Sequence, residues 1–168
     1  MKRITLIAAI WFTLTSAIYG QRGNINVNAE QDIVITNLTG DLNFGSVIQN
    51  QGTVQILLTA PETVVLQVEG KENQRIRVTF TAPPDLRLDA LNALPFTLRA
   101  AYNDTGNNNA SGATVISLPV STQTFQLPNN PGQDKTGTAY LYIYGDILVS
   151  NVNAGLYSNT INVLVEYD

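Results

Sequence analysis

The sequence predicts an all-β fold, an antiparallel β-sandwich in one domain. Short runs rich in Val, Ile, Thr, Leu and Tyr recur along the chain, and Asn, Gly, Pro and Asp fill the gaps between them. Helical periodicity is weak throughout. Many short strands with no helices between them are typical of a sandwich rather than of a parallel α/β sheet. We find no internal repeat and no linker, which indicates a single domain.

The predicted strands follow one another with turn residues between them. In chain order they cover residues 23–29, 32–38, 42–47, 53–59, 63–69, 75–81, 96–102, 113–120, 123–127, 138–144 and 159–167. Thr39-Gly40-Asp41 and Gly70-Lys71-Glu72-Asn73 are turn-like groups. The best helix candidate is Pro84–Leu94, which is leucine-rich, has prolines at both ends and has room for a single turn.

The first twenty residues predict an export signal. Lys2 and Arg3 form a basic start, and Ile4–Leu14 is an apolar run, interrupted only by threonines, that is too short to span a bilayer comfortably. We expect cleavage after Gly20, with cleavage after Ala17 as the alternative. The mature chain then has seven basic residues against thirteen acidic ones, a net charge of −6. We expect an exported protein, with no membrane insertion after cleavage.

Cysteine and histidine are both absent. Without cysteine there is no thiol catalysis, no cysteine–zinc site and no disulfide, so the core and hydrogen bonds alone stabilise the domain. Without histidine the commonest general base and metal ligand are missing, and with them the Ser-His mechanisms of most hydrolases. The scattered, net negative charge argues against nucleic acid as a partner. We therefore expect no enzyme activity, no metal site and no cofactor.

Two polar groupings resemble known sites only in composition. The stretch Asn103–Gly112 has oxygen ligands of the kind that calcium prefers, but it contains one carboxylate and lacks the spacing of a calcium loop. A solvated hairpin tip is the better interpretation. The acid pairs Asp85/Asp89 and Glu69/Glu72 contain the groups that glycosidases use. Both pairs lie in turn-like surroundings with basic neighbours, which indicates a solvated surface.

Alternating apolar residues mark both ends of the mature chain. Four residues of the last strand occupy alternate positions and face one way, with an aromatic next to the end: Ile161, Val163, Val165, Tyr167. Near the predicted cleavage site, three residues alternate with asparagines: Ile25, Val27, Ala29. The first set fits the last core strand of a sandwich. The second fits either an edge strand of the same domain or a strand that adds itself to the sheet of a neighbouring molecule.

Three tyrosines, Tyr140, Tyr142 and Tyr144, lie on one face of a single predicted strand. An exposed stripe of this kind could stack on sugar rings, whereas a buried stripe belongs to the core. We favour burial, and keep the exposed stripe as the basis of an alternative function.

The residues at both ends of the mature chain also resemble a known family. Asp41-Leu-Asn-Phe-Gly-Ser-Val47 resembles the L-x-F-G-x-I opening strand of bacterial secreted domains of unassigned function, which are similar to spore-coat-protein-U-like pilins and to Mat or common-pilus major subunits. The C-terminal third resembles the family pattern G-x-L-x-V…A-G-x-Y-x-x-x-x-x-V-x-V-x-Y. The motif residues that match are Leu42, Phe44, Gly45, Gly155 and Tyr157. The middle, from about residue 59 to residue 136, matches only in strand-like character.

The resemblance implies an immunoglobulin-like sandwich completed by a donated strand, in a pilus subunit that polymerises with copies of itself. It also implies a location at the cell surface, in a fimbrium or in the periplasm. In such pilins a periplasmic chaperone binds the last strand, and an N-terminal extension enters the next subunit at the usher. The resemblance thus assigns a chaperone or groove role to residues 161–167, and a donor role to Ile25, Val27 and Ala29 within an extension, 21–31, that precedes a sandwich domain, 32–168. The chain lacks the disulfide of many such pilins, and its donor segment is short. Both departures leave open a monomeric secreted or cell-surface binding module for a glycan or an envelope partner.

Overall fold

The computed structural model describes residues 17–30, 32–117, 122–132 and 135–168. Within these ranges the chain forms twelve strands and one 3-10 turn at Ala110–Gly112, which confirms the predicted all-β fold. The strands are β1 (Ala17–Ala29), β2 (Val34–Asn37), β3 (Leu42–Ile48), β4 (Gly52–Ile56), β5 (Val64–Lys71), β6 (Arg75–Thr81), β7 (Asp85–Arg87), β8 (Ala93–Asn103), β9 (Thr114–Ile116), β10 (Thr122–Gln126), β11 (Thr136–Val149) and β12 (Ser158–Tyr167).

The first sheet is built around β12. On one side β12 pairs antiparallel with β6, and at Ser158 with β7. On the other side it pairs with β1 in parallel. β10 extends the sheet beyond β6, and β3 extends it beyond β1. Among the described strands β1 and β12 form the one parallel pair, so the sheet is mixed. A parallel pair needs a long connection, and almost the whole domain lies between these two strands.

The second sheet is built around β11. β8 pairs with β11 on one side, while β5 and then β4 pair with successive halves of β11 on the other. β9 extends the sheet beyond β8, and β2 extends it beyond β5. β8 belongs to both sheets, because its residues 93–95 pair with β7 and its residues 96–103 pair with β11. One continuous strand therefore links the two layers.

A single hydrophobic core lies between the sheets. Alternate residues of β5 and β6 are at most 4% exposed: Val64, Leu66, Val68, Ile76, Val78, Phe80. Two ring pairs join strands of opposite sheets. Tyr102 stacks on Phe125 with ring centroids 4.4 Å apart, and Phe44 meets Phe96 edge-on at 6.1 Å. These contacts make the two layers a sandwich.

The helical turn expected within Pro84–Leu94 is wrong. Residues 85–87 are β7, and a tight connection leads from it to β8. The Asp89 carboxylate accepts hydrogen bonds from the backbone N–H groups of Leu91 and Asn92, both at 2.8 Å. The Asn92 side-chain amide, which donates to the same carboxylate at 2.9 Å, and these backbone hydrogen bonds together hold the pKa of Asp89 below its ordinary value. An aspartate that bonds the backbone in this way favours a turn over a helix.

Several boundaries differ from the predicted ones. β11 continues past residue 144 to Val149, with Ile147 and Val149 buried on the core side. β1 starts at Ala17, so it runs through the predicted cleavage position, while residues 1–16 lie outside the described residues. The predicted strand 113–120 appears as β9, and its last three residues also lie outside the described part. No helix in the described part is long and apolar enough to cross a membrane.

Candidate functional site

The structure brings the two alternating apolar sets together. In the parallel pairing of β1 with β12, Ile25 lies beside Ile161, Val27 beside Val163, and Ala29 beside Val165. The three β12 residues are completely buried. Ile25 and Val27 are half-buried against the core, and Ala29 is exposed. The predicted donor residues thus line up with the predicted groove residues, within one chain.

We call the slot that β1 fills the β1 groove, with β12 and β3 as its walls and Leu42, Ile161, Val163 and Val165 on its core side. Eight residue pairs join β1 to β12, from Arg22 beside Ser158 to Ala29 beside Val165. Five pairs join β1 to β3. β3 pairs with the first half of β1 and β12 with the second half, so β1 has a neighbour on both sides only at Arg22 and Gly23, and its removal would expose the backbone edges of both neighbours.

Sequence reasoning missed Gln21, and it placed Gly23 in the predicted strand 23–29 without predicting its burial. Gln21 and Gly23 precede Ile25 on the same inward face of β1, and both are buried. A Cβ atom on Gly23 would lie 3.0 Å from Ile161 Cδ1, so a side chain there would crowd the core. A glutamine and a glycine give no apolar alternation. The only sequence signal for them was their even spacing from Ile25.

The backbone of β1 is irregular beside β3. The pairing shifts register on either side of Gln21, which lies opposite Gly45. Gly45 has φ +71°, and Gly20 has φ +65°, a conformation that glycine adopts without strain. The Asn43 side chain accepts a hydrogen bond from the Gly45 N–H at 2.9 Å. The glycine of the opening-strand motif therefore sits in a bulge that shapes one wall of the groove.

Polar contacts on the outer side fix the position of β1. Asn26 Nδ2 donates to Asn162 Oδ1 at 2.9 Å across the parallel pair. The backbone N–H of Ile25 donates to Asp41 Oδ1 at 3.2 Å. The asparagines that alternate with the apolar residues thus face outward, where amide groups remain hydrated or pair with one another.

Glu30, the residue after β1, is tied to the end of β12. The Glu30 N–H donates to the Val165 carbonyl at 3.0 Å, and Glu30 Oε2 accepts from the Tyr167 N–H at 2.8 Å. Asp32, between β1 and β2, has φ +71°. The Tyr167 hydroxyl accepts a hydrogen bond from the Lys71 N–H of the second sheet at 2.9 Å. The near-terminal aromatic therefore ties the two sheets together.

The other motif residues are structural. Leu42 and Tyr157 are completely buried, and Phe44 is nearly so. The Tyr157 hydroxyl donates to the Asn153 carbonyl at 2.8 Å, and burial raises the pKa of Tyr157. A Cβ on Gly155 would meet Leu88 Cδ1 at 2.6 Å. These contacts hold the segment that leads into β12.

The tyrosine stripe is mostly buried, as expected from the sequence, and Tyr142 and Tyr144 belong to the hydrophobic core cluster. Tyr142 is 1% exposed and Tyr144 is 7% exposed, with Tyr140 half-buried. The register places them on the outer face of the second sheet, because their neighbour Leu141 pairs with Tyr102, which points inward. Tyr142 donates to Asn108 Oδ1 at 3.0 Å, so the loop predicted to be a solvated hairpin tip covers this ring. Burial raises the pKa of Tyr142 and of Tyr144.

The acid pairs make local structural contacts. Asp85 forms an ion pair with Arg87 at 2.7 Å, and Glu69 accepts a hydrogen bond from Gln67 at 2.9 Å. In the described ranges no group of three or more acidic side chains could hold a metal ion. A cleft of about 630 Å³ lies beside β3 and β4, with Arg22, Asp41 and Glu62 among its lining residues.

Comparison with known proteins leaves the geometry as the basis for the functional argument. Neither the protein-family models nor the curated proteins include a match to this chain. The resemblance to secreted pilin-like domains therefore stays a prediction from the motifs.

Proposed function

We propose that this chain is a structural subunit of a pilus or surface fibre, assembled by donor-strand complementation, with β1 of one copy in the β1 groove of the next. One observation carries the proposal. β1 pairs with both β12 and β3 in the first sheet, yet its chain continues into the rest of the described domain only through the short connection to β2. A strand attached in this way can move to a second copy and form the same contacts there.

An empty groove would bind a strand strongly. Withdrawal of β1 removes the lateral neighbours of Ile161, Val163 and Val165, which are completely buried in the closed chain. Burial of an aliphatic side chain of this size is worth about 1.5–3 kcal/mol when it is complete. The unpaired edges of β12 and β3 add main-chain hydrogen bonds to that attraction. The open chain therefore needs a strand from itself, from another copy or from a chaperone.

The proposal includes the partners and the location that the resemblance implies. A periplasmic chaperone would cover the open groove, and an usher would receive the subunit at the outer surface. The export signal expected in residues 1–20 would bring the chain to that compartment. The joint between subunits would be non-covalent, because the sequence has no cysteine.

A disulfide lock tests the proposal directly. Asn26 and Asn162 are lateral neighbours in the parallel pair, and strands in a sheet lie about 4.8 Å apart, within the Cα separation that a disulfide spans. The variant Asn26→Cys with Asn162→Cys should be locked closed when oxidised. We expect the oxidised protein to stay monomeric and the reduced protein to form fibres, measured by electron microscopy and analytical ultracentrifugation.

A matched lock elsewhere controls for the disulfide itself. Thr79 and Thr122 are neighbours in β6 and β10, with hydroxyl oxygens 3.4 Å apart. The variant Thr79→Cys with Thr122→Cys leaves β1 free, so it should form fibres whether oxidised or reduced. Fibres from the oxidised Asn26/Asn162 variant would show that β1 is not the donor. A wild-type protein that stays monomeric at every concentration would refute the fibre proposal.

The second candidate is a monomeric secreted or cell-surface binding module. The observation that favours it is the closed chain itself, in which β1 completes the first sheet without a partner. The tyrosine stripe is too buried to stack on sugars. The cleft beside β3 and β4 is the better ligand site for such a module. Two results together would favour this candidate. The oxidised Asn26/Asn162 variant would bind to a glycan array, and the wild-type protein would never assemble into fibres.

A further inference from the structure

Gln21, on the inward face of β1, has a polar side chain without a hydrogen-bond partner. Gln21 is completely buried, and neither Oε1 nor Nε2 of its amide forms a hydrogen bond. Across the described ranges no other buried side-chain nitrogen or oxygen lacks a partner. A buried amide loses its hydrogen bonds to water, and without replacements that loss destabilises the state in which it is buried.

The register of β1 keeps Gln21 in this position. A shift of β1 by one residue would turn its apolar face outward and bring the asparagines inward. A shift by two residues would bring either Ile25 or Gln21 to the position of Gly23. A Cβ there already lies 3.0 Å from Ile161 Cδ1 and 3.7 Å from Leu42 Cβ. The strand therefore docks in one register, and that register buries Gln21.

We propose that the unpaired amide of Gln21 weakens the docking of β1. It thereby raises the fraction of chains with an open β1 groove. Its consequence for assembly rests on the proposed fibre function, whereas the weakened docking does not. The same contacts form when β1 docks in its own chain or in another copy. Gln21 therefore raises the rate at which strands change partners and leaves the balance between the two docked states unchanged.

The variant Gln21→Met tests this inference in a chain that begins at Ile18, the product of the alternative cleavage after Ala17, because in that chain Gln21 lies inside β1. Methionine is similar in length and volume and has no amide. Hydrogen exchange of the β1 amides, read by mass spectrometry, measures how often the strand opens. Removal of an unpaired buried amide should raise their protection about 5- to 150-fold, which corresponds to about 1–3 kcal/mol at 1.4 kcal/mol per tenfold. The rate at which labelled and unlabelled copies exchange strands should fall by the same factor.

A control on the same strand isolates the effect of burial. Asn24 is exposed on the outer side of β1, so Asn24→Met makes a similar chemical change without altering the groove. We expect protection of β1 to stay at the wild-type level in that variant. Gln21→Leu repeats the test with a different side-chain shape if methionine packs badly.

The outcomes separate this inference from the fibre proposal. Unchanged or lower protection in both Gln21 variants would show that the amide has a partner, such as a buried water, and would overturn the inference. Higher protection together with slower strand exchange supports both proposals. Higher protection in a protein whose wild-type form never exchanges strands supports the docking defect and overturns the fibre function.

Discussion

Lysine at Ile25 and Val27 should undock β1 and leave the rest of the sandwich folded. Both side chains are half-buried, beside the completely buried Ile161 and Val163. Complete burial of such residues is worth about 1.5–3 kcal/mol each, so half-burial of two amounts to about 1.5–3 kcal/mol in total. The lysine ammonium groups would also lose hydration if β1 stayed docked, which favours the undocked strand. Domains are typically stable by about 5–15 kcal/mol, which leaves a folded domain after this loss.

Urea unfolding and electron microscopy together measure the effect. The double variant Ile25→Lys with Val27→Lys should lose about 1.5–3 kcal/mol of unfolding free energy. Its m-value should fall as well, because an undocked strand exposes no further surface when the rest unfolds. Fibre assembly should be abolished, since a lysine buried in the groove of a second copy would lose its hydration.

The matched control carries the same charges on the outer side of the same strand. Asn24 and Asn28 are exposed, so Asn24→Lys with Asn28→Lys should keep both stability and assembly. Outright unfolding of the Ile25/Val27 variant would refute the reasoning, because β1 would then be an indispensable core strand. Long fibres from that variant would refute it too, because the donor would then be another segment.

Two further predictions concern a comparison of two glycine substitutions and the stability of the protein at alkaline pH. Gly145→Ala should lower the melting temperature far more than Gly155→Ala in thermal unfolding, because its Cβ would overlap the Thr97 carbonyl oxygen of β8, whereas the Gly155 Cβ meets the flexible end of Leu88. Burial raises the pKa of Tyr142 in the folded chain. The stability that the neutral side chain contributes is complete below the pKa of tyrosine in the unfolded chain, about 10, and is lost as pH rises through the folded pKa. Denaturant unfolding from about pH 8 to pH 12 should show this loss, and Tyr142→Phe should reduce it.

Local alternation made much of the fold predictable. β6 has the predicted bounds, 75–81, because Ile76, Val78 and Phe80 alternate with polar residues, and because turn residues stand at each end. The same signal identified both strands of the candidate site. Period two needs only a few neighbouring residues to be visible, so it survives in a single sequence.

The remaining features depend on contacts between distant residues. Nothing local shows that Ile25 lies beside Ile161 in a parallel pair, since their positions are 136 residues apart. Gln21 and Gly23 lack the apolar character that marks a strand, and the packing of β1 against Leu42 and Ile161 decides their burial. The leucines around Asp89 favoured a helical turn, but pairing of β7 with β8 satisfied that backbone in extended form. Tertiary context overrides propensity in such short segments.

In the proposed fibre, the closed chain and the assembled subunit would use the same groove. In the closed chain, the connection to β2 tethers β1, and a short tether gives an effective concentration in the millimolar range. Copies at lower concentration lose this competition unless the tether is released or the groove is kept open. Release means breaking the contacts of Glu30 with Val165 and Tyr167. A chaperone that occupied the groove would remove the intramolecular competitor altogether. In the proposed assembly, self-docking of β1 would therefore set the barrier to be overcome, and Gln21 would lower that barrier from inside the groove.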